Sequence, residues 1–326
     1  MRRQMLKVSI IGLGAWGSAL GLTAHRAGST VTMIGLAHDV QAISPQREVP
    51  LCPTVRFPDS MTLTADTQAL ATADVVVLVV PAQGLRACVE GIKDVLPKDI
   101  PLVIATKGIE QKTTLFVGEL VSSLVPNPCV ILSGPNFAKE IIQNLPACTV
   151  IAAADEAVGS QVRTAFCHVH FRPYLSTDVM GVQVVGAIKN VLAIGCGIIK
   201  ARGLGENALA AFVSRGLDEI KDLGIAKGGQ LPTFLGLAGI GDVMLTCMSA
   251  ESRNFQLGLS LGKENRVNKD LVENTTVEGF HTVKALRALS EQMGIQMPVA
   301  ETIHAILYAG ESVDTAIETL LARPLK

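Results

Sequence analysis

The feature that most constrains the fold is a glycine motif between a short apolar run and a helical stretch. Gly12, Gly14 and Gly17 directly follow the run 7–11 and open the segment 18–26, which has helical periodicity. In this setting the first two glycines permit a tight turn and the close approach of a pyrophosphate to backbone N–H groups, and the third lets helix and strand touch. The motif therefore predicts a dinucleotide-binding strand, turn and helix.

Further apolar runs in the first half predict a parallel sheet. They are rich in β-branched residues and do not alternate strictly with polar ones, which is typical of strands buried on both faces. Because helical stretches separate them, the expected architecture is α/β, with a doubly wound parallel sheet. The expected strands are 7–11, 30–34, 75–80, 102–105 and 129–132.

Strand signals nearly vanish after about residue 180, and helical patterns replace them. We therefore expect a dinucleotide-binding domain over residues 1–180 and an all-helical domain over residues 181–326. The expected helices of the second domain are 181–200, 206–223 ended by Gly224, 256–263, 282–293 ended by Gly294, and 299–308.

Composition excludes several classes of protein. The 28 basic and 29 acidic residues give a net charge of -1, so no overall field attracts nucleic acid or an anionic membrane. Seven scattered cysteines without a CxxC pair predict free thiols in a reducing cytoplasm, and six dispersed histidines predict no metal site. The apolar run that follows the basic start is too short for a signal peptide, and the longest apolar stretch is interrupted by charge, so we expect no membrane span.

That interruption consists of Lys189 and Asn190, within the otherwise small and apolar segment 181–199. On a helix Gly186 and Ala193 share the face of Lys189. A strip of small side chains lets another helix or a ligand approach closely, and a desolvated lysine can lose enough proton affinity for acid/base chemistry. The alternative is an amphipathic helix whose one lysine extends its ammonium group to solvent. The segment alone leaves both interpretations open.

The residues after the second predicted strand bear on the cofactor. In NAD-specific folds an acid about 20 residues beyond the glycines binds the ribose 2'-hydroxyl. Here no acid stands at the end of the strand, and Asp39 comes a few residues late. His38 or Arg47 could face a 2'-phosphate. The sequence therefore mildly favours NADP over NAD.

Two loops after predicted strands carry polar groups where parallel sheets bind ligands. Lys107 follows strand 102–105 and could bond a substrate oxygen or a cofactor, although an exposed loop lysine is equally compatible. Gly134 and Asn136 follow strand 129–132. Asn136 either caps the next helix or contacts a ligand.

The second half adds further charged groups. Asp242 follows two glycines in an apolar run and either caps a helix or orients a catalytic lysine. Ser252, Arg253 and Asn254 offer a hydroxyl, a guanidinium and an amide in succession, which suits a phosphate, although the triplet alone is also typical of a solvated loop. Glu278 could bond a ribose or an amide, or simply begin a helix.

Together these motifs resemble those of the bacterial NAD(P)-dependent glycerol-3-phosphate dehydrogenases, over nearly the whole chain. The resemblance implies an N-terminal Rossmann domain, a helical C-terminal domain and a site between them. It also implies a cytoplasmic homodimer that supplies glycerol 3-phosphate for glycerophospholipid synthesis. The motifs are GLGAWG at 12–17, ATKGIE at 105–110, SGPNFAKE at 133–140, GVQVVGAIKNVLAIGCGI at 181–198, GIGDVMLTC at 239–247, SRN at 252–254 and VEGFHT at 277–282.

The resemblance assigns roles by position. Lys189 is the expected proton acceptor, with Lys107 and Asp242 beside it. The implied substrate-binding residues are Lys107, Gly134, Asn136, Lys189, Asp242, Ser252, Arg253 and Asn254. The implied cofactor-binding residues are Gly12, Gly14, Ala15, Trp16, Gly17, His38, Lys107, Ala138, Arg253 and Glu278. Two positions depart from the family: Asn136 stands where Ser or Thr is frequent, and 35–38 lacks the usual tryptophan followed by a basic residue.

The implied mechanism is reversible hydride transfer between C2 of sn-glycerol 3-phosphate and a nicotinamide, with Lys189 taking the hydroxyl proton. A free lysine, with a pKa of about 10.4, is a poor base at neutral pH. Burial and the positive charge of Lys107 should favour the neutral form of Lys189, whereas the carboxylate of Asp242 should favour its ammonium form. The three groups are expected to form one coupled system. The rival interpretations are a related dehydrogenase whose Arg253 binds a carboxylate substrate, and a cofactor-binding regulator without catalysis.

Overall fold

The computed structural model describes residues 5–267 and 269–322 of the chain. They divide into two compact units. The sheet unit comprises residues up to Thr106 together with Val117–Val179, and the helical unit comprises Lys107–Phe116 together with the chain from Met180 onward. Residues 107–116 therefore group with the helical unit. The single boundary at residue 180 that the sequence predicts does not include this segment in the helical unit. The first four residues of the basic start lie outside the described part.

The sheet unit is built on an eight-stranded sheet in the order β10-β9-β8-β7-β6-β1-β2-β5, with a separate hairpin of β3 and β4. The strands are β1 (Lys7–Ile11), β2 (Thr30–Ile34), β3 (Glu48–Val49), β4 (Cys52–Arg56), β5 (Thr62–Thr64), β6 (Val75–Leu78), β7 (Leu102–Ile104), β8 (Cys129–Ser133), β9 (Ala147–Ala153) and β10 (Phe171–Ser176). The helices of this unit are α1 (Ala15–Arg26), α2 (Ala37–Ile43), α3 (Leu85–Ile92), α4 (Val117–Leu124), α5 (Ala138–Ile142) and α6 (Glu156–Phe166).

The five predicted strands are confirmed, with ends that differ by at most two residues. The central strands β6 and β7 are wholly buried, as their continuous apolar sequences predict. Parallel pairing holds throughout the eight-stranded sheet except between β8 and β9, which pair antiparallel. The sheet is therefore predominantly parallel, and β5 at one edge and β9 and β10 at the other extend it beyond the five predicted strands.

The helical unit contains no strand among its described residues. Its helices are α7 (Val179–Ala201), α8 (Glu206–Ala226), α9 (Leu231–Leu235), α10 (Asp242–Cys247), α11 (Arg253–Glu264), α12 (Lys269–Asn274), α13 (Glu278–Met293), α14 (Pro298–Tyr308) and α15 (Val313–Leu321), with a π-helical turn at Leu237–Gly241 between α9 and α10.

The five predicted helices are confirmed, but one predicted end is wrong. Gly294 ends α13 in the left-handed conformation at φ 65°, as the sequence suggested. Gly224 does not end α8, which continues to Ala226. Gly224 is instead buried, and a Cβ there would lie 2.2 Å from the Phe234 ring. This glycine serves helix packing, which a local stop signal cannot distinguish from a cap.

Helix α7 is buried along nearly its whole length. Within the described residues it is the one helix long and apolar enough to cross a membrane, but its most apolar window is entirely buried in the protein. A Cβ on Gly197 would lie 2.2 Å from the carbonyl oxygen of Phe255, and one on Gly258 would lie 2.0 Å from that of Ile194. The small residues thus let the α7 and α11 backbones touch, and α7 is a core helix.

Candidate functional site

The glycine motif forms the turn between β1 and α1. Gly12 has φ 124°, and a Cβ there would lie 2.7 Å from the Val79 carbonyl oxygen. A Cβ on Gly17 would lie 1.9 Å from the Gly12 carbonyl oxygen. Both positions therefore exclude a side chain because of backbone contacts inside the protein.

Gly14 differs because nothing lies within 4 Å of the position that its Cβ would take. It is exposed at the N-cap of α1, where no side chain caps the helix. An anion placed here meets the positive end of a 12-residue helix and its first N–H groups. The absence of a side chain at residue 14 thus suits a ligand and not the protein interior, and the turn fits the pyrophosphate of a dinucleotide.

Trp16 and Ala15 occupy the first turn of α1. The indole Nε1–H of Trp16 donates to the carbonyl oxygen of Ala105, 3.2 Å away, just beyond β7. This hydrogen bond fixes the start of α1 against the carboxyl end of the sheet, where parallel sheets bind their ligands.

The basic side chains after β2 have different environments. Arg47 donates from Nε to the carbonyl oxygen of Phe57 and from Nη2 to those of Pro58 and Met61. Its guanidinium therefore holds a loop together, which makes it a poor candidate for a 2'-phosphate. The side chain of His38 is 74% exposed, and its Nε2 lies 3.4 Å from Oδ1 of Asp39. Of the two basic residues considered, His38 is the one available to a ligand.

The loop after β8 carries Gly134, Asn136 and Ala138. Gly134 has φ 152°, and Ala138 is the first residue of α5. Asn136 does not cap α5, whose N-cap is Phe137, so that alternative is wrong. Its Nδ2 donates to the carbonyl oxygens of Pro135 and Cys148, while its buried Oδ1 has no hydrogen-bond partner among the described residues.

The helical unit brings Lys189, Lys107 and Asp242 together. Lys189 Nζ lies 2.5 Å from Asp242 Oδ1, and Lys107 Nζ lies 2.7 Å from Asp242 Oδ2. Asp242 has no exposed surface and Lys189 is 6% exposed. One buried carboxylate therefore binds both ammonium groups, one through each oxygen.

The pKa values of this cluster follow from burial and charge. Desolvation lowers the pKa of Lys189 to about 8, the Asp242 carboxylate opposes this shift, and Lys107 adds to it. Burial alone would raise the pKa of Asp242, but the two ammonium groups hold it below its ordinary value. The cluster thus combines a permanent carboxylate with a lysine that can lose its proton near neutral pH.

Thr246 completes the cluster and was not predicted. Lys189 Nζ donates to Thr246 Oγ1 over 2.7 Å, and the same hydroxyl lies 3.4 Å from Asp242 Oδ1. Thr246 stands one helical turn after Asp242 in α10, so the two share a face. That spacing was the available signal, but threonine is too common in helices for the spacing to identify it alone.

The triplet of Ser252, Arg253 and Asn254 begins α11. Ser252 is its N-cap and accepts from the Phe255 N–H, which is the structural role that the sequence left open. Arg253 is exposed. Although the residue keeps an exposed surface, the protein around its side chain removes part of its hydration and lowers the pKa of Arg253, while the charge of the Glu278 carboxylate raises it. Glu278 is the first residue of α13.

Asn254 connects three helices. Its Nδ2 donates to Oδ1 of Asn190 on α7 over 3.0 Å, and its Oδ1 accepts from the Gly279 N–H on α13 over 2.9 Å. A Cβ on Gly279 would lie 2.5 Å from the Asn190 carbonyl oxygen. The amide of Asn254 is thus largely occupied within the protein and fixes the residue that follows Lys189.

Comparison with known proteins decides the family. Residues 7–159 match the N-terminal model, and residues 178–318 the C-terminal model, of NAD-dependent glycerol-3-phosphate dehydrogenase. The chain belongs to this family. It therefore acts as an oxidoreductase that uses NAD or NADP.

Individual relatives agree over nearly full length. A glycerol-3-phosphate dehydrogenase [NAD(P)+] from Bradyrhizobium sp. is 42% identical over 100% of this chain and 99% of its own. One from Rhodospirillum rubrum is 42% identical over 98% of this chain and 93% of its own. The crystal structure of glycerol-3-phosphate dehydrogenase from Coxiella burnetii matches with a TM-score of 0.93 and 30% identity, over 98% of this chain and 99% of the other.

Gly14 faces open space and Gly17 is enclosed by backbone, so substitutions at the two positions should have different effects. Gly14→Val should leave thermal stability unchanged, because the added side chain enters open space and φ is already -68°. It should weaken NADH and NADPH binding by at least about tenfold, because the side chain then occupies the anion position. Binding is measured by fluorescence titration.

The matched control is Gly17→Ala, whose Cβ would meet the Gly12 carbonyl oxygen at 1.9 Å. This variant should lower the melting temperature. Normal cofactor affinity in Gly14→Val would show that the turn does not hold the cofactor.

Proposed function

We propose that Lys189 exchanges the proton as this member of the glycerol-3-phosphate dehydrogenase family interconverts sn-glycerol 3-phosphate and dihydroxyacetone phosphate. A bound NAD or NADP would supply the hydride acceptor for oxidation at C2 and the hydride donor for reduction. Neutral Lys189 takes the hydroxyl proton during oxidation, and its ammonium form protonates the ketone oxygen during reduction. The observation that carries this assignment is the buried Lys189 bonded to Asp242, with a pKa lowered to about 8.

Asp242 and Thr246 orient the Lys189 amine in this proposal. The carboxylate prevents burial from removing the ammonium proton altogether, so that both protonation states are reached near neutral pH. Lys107, bonded to the other oxygen of Asp242, supplies a positive charge for the substrate oxygen. Lys189 and Asp242 influence each other's pKa directly, because each favours the charged form of the other.

We infer that the substrate phosphate is held away from the reacting carbon by Arg253, with its planar set of donors. Ser252 precedes Arg253 as the N-cap of the same helix. Asn254 would contribute its second Nδ2 hydrogen, which neither of its two hydrogen bonds within the protein uses. Gly134 and Asn136 are the proposed substrate contacts from the loop after β8. Binding energy from the phosphate then serves to orient the C2 hydroxyl.

The proposed cofactor contacts come from both sequence halves. The turn from Gly12 to Gly17, with Ala15 and Trp16, receives the pyrophosphate, and Ala138, Lys107, Arg253 and Glu278 are assigned by family position. The sheet unit is thus the proposed dinucleotide-binding domain and the helical unit the proposed substrate-binding domain.

Family membership also supports three wider proposals. The enzyme is cytoplasmic, forms a homodimer and supplies glycerol 3-phosphate for glycerophospholipid synthesis. Sedimentation equilibrium tests the dimer. A strain without the enzyme should grow only when glycerol 3-phosphate is provided by another route.

Substrate identity separates this function from its rivals. Reduction of dihydroxyacetone phosphate, followed by loss of NADH or NADPH absorbance, should greatly exceed reduction of any 2-keto or 3-keto acid. A preferred keto acid would instead indicate that Arg253 binds a carboxylate. Turnover in excess of the enzyme present excludes a cofactor-binding regulator without catalysis.

The first prediction on this site concerns the proton acceptor. Lys189→Met should lower kcat by at least about 100-fold, because the proton transfer loses its catalytic group, and cofactor affinity should stay normal. Lys200→Met is the matched control, because Lys200 lies on the same helix but is exposed and pairs with Glu206. Near-normal turnover of Lys189→Met would refute the assignment.

The second prediction concerns pH. Oxidation needs neutral Lys189, so kcat/KM for glycerol 3-phosphate should rise with pH through a midpoint of about 8. Reduction needs the ammonium form, so kcat/KM for dihydroxyacetone phosphate should fall through the same midpoint. Initial rates in both directions between about pH 7 and 9.5 test this. Profiles that rise together or stay flat would contradict it.

The third prediction concerns cofactor choice, for which we propose a mild preference for NADP through His38. His38→Ala should lower the ratio of kcat/KM for NADPH to that for NADH by a few-fold, since it removes a group able to contact the 2'-phosphate. Asp39→Asn should raise the ratio, because the carboxylate beside His38 repels that phosphate. An unchanged ratio in both variants would exclude this residue pair from cofactor selection.

A further inference from the structure

The segment that leads into Asp242 has an unusual backbone. Leu237–Gly241 forms a π-helical turn, closed by the Gly241 N–H donating to the Gly236 carbonyl oxygen over 3.3 Å. A π turn holds one residue more than an α turn and is an uncommon feature that recurs at functional sites. It ends where α10 begins, at Asp242.

Gly239 makes this turn possible. Its φ of -85° and ψ of -105° are not helical, although helical residues surround it. It is buried, and a Cβ there would lie 2.2 Å from the carbonyl oxygen of Phe234, 2.4 Å from its carbonyl carbon and 2.5 Å from the Thr233 carbonyl oxygen. All three atoms are backbone of α9, so no side-chain movement can accommodate a larger residue.

The kink at Gly239 sets the direction of α10. Asp242 and Thr246 point inward to Lys189, while Ile240 and Met244 are exposed. Because the backbone at Gly239 is not helical, the φ and ψ angles of this residue fix how α10 leaves the turn. A different conformation at Gly239 would reorient α10 and move the Asp242 carboxylate from its position between the two lysines.

We propose that Gly239 is a positioning residue, which acts through the π turn to hold Asp242 between Lys107 and Lys189. The inference rests on the proposed function of Asp242 beside Lys189. Gly239 has no side chain that could bind a substrate or a lysine, so we expect it to contribute to activity only through the carboxylate that it places.

A double-mutant cycle tests this role. Gly239→Ala should lower kcat/KM for dihydroxyacetone phosphate by at least about tenfold, because the carboxylate is misplaced. If Gly239 acts only through Asp242, the double variant with Asp242→Asn should be no less active than Asp242→Asn alone, within about twofold. The midpoint of the pH profile for oxidation should also move downward in Gly239→Ala, because Lys189 loses the nearby negative charge that favours its ammonium form.

Gly224→Ala is the matched control. Its Cβ would meet the ring of Phe234 at 2.2 Å, the same residue whose backbone Gly239 approaches. It should lower the melting temperature but leave the pH midpoint unchanged, and any loss of kcat/KM should add to that of Asp242→Asn. A loss in Gly239→Ala that is likewise additive, or a kcat/KM within about twofold of the unmodified protein, would overturn the proposal.

Deletion of Ile240 provides a second variant if Gly239→Ala does not fold. It removes one exposed residue between Gly239 and Asp242, which shifts the helical phase of α10 relative to the kink by about 100°, so the Asp242 carboxylate should leave the two lysines and activity should be lost. An active deletion variant overturns the proposal, as does failure of both variants to fold, which would assign the turn to stability alone. If Asp242→Asn itself has normal activity, the proposed function of Asp242 fails, whatever Gly239 does.

Discussion

The site of this protein depends on one buried carboxylate. Asp242 has no exposed surface and binds an ammonium group through each of its oxygens. A buried charge is tolerated only when it is paired, and the Asp242 carboxylate favours the ammonium form of Lys189 against the effect of burial. The balance between burial and this pairing places the pKa of Lys189 at about 8. The acid/base role proposed for Lys189 near neutral pH rests on that balance.

The two units form their functional features by different physical means. In the sheet unit the turn between β1 and α1 depends on backbone geometry. Gly12 and Gly17 permit close contacts between backbone atoms, and Gly14 leaves open space at the N-terminus of α1. In the helical unit charged and amide side chains form the proposed site, and glycines serve the packing around it. The carboxylate of Asp242 reaches Lys189 because a π turn and an excluded Cβ orient α10.

Much of the fold was predictable because its signals are local. Buried parallel strands have continuous apolar sequences, and the glycine motif has its meaning from the strand before it and the helix after it. The wrong predictions share a cause, which is that the local sequence does not show contacts with distant residues. Gly224 has the local context of a helix stop and Asn136 that of a helix cap, but Gly224 packs against Phe234 and Asn136 donates a hydrogen bond to the Cys148 carbonyl oxygen. Arg47 was considered for a phosphate, and three carbonyl oxygens in a nearby loop bind it instead.

By itself the sequence determined the element types, the dinucleotide turn and the identity of the charged residues, because each depends on residues close together in the chain. Only the tertiary structure decided how Lys107, Lys189 and Asp242 pair, that Thr246 joins them, and that residues 107–116 group with the helical unit. Lys107 and Asp242 are 135 positions apart, and Lys189 and Asp242 are 53 apart. The periodicity of a local segment does not indicate which residues so far apart in the chain come into contact. Those contacts are set by tertiary packing, such as that of α7 against α10, and by burial.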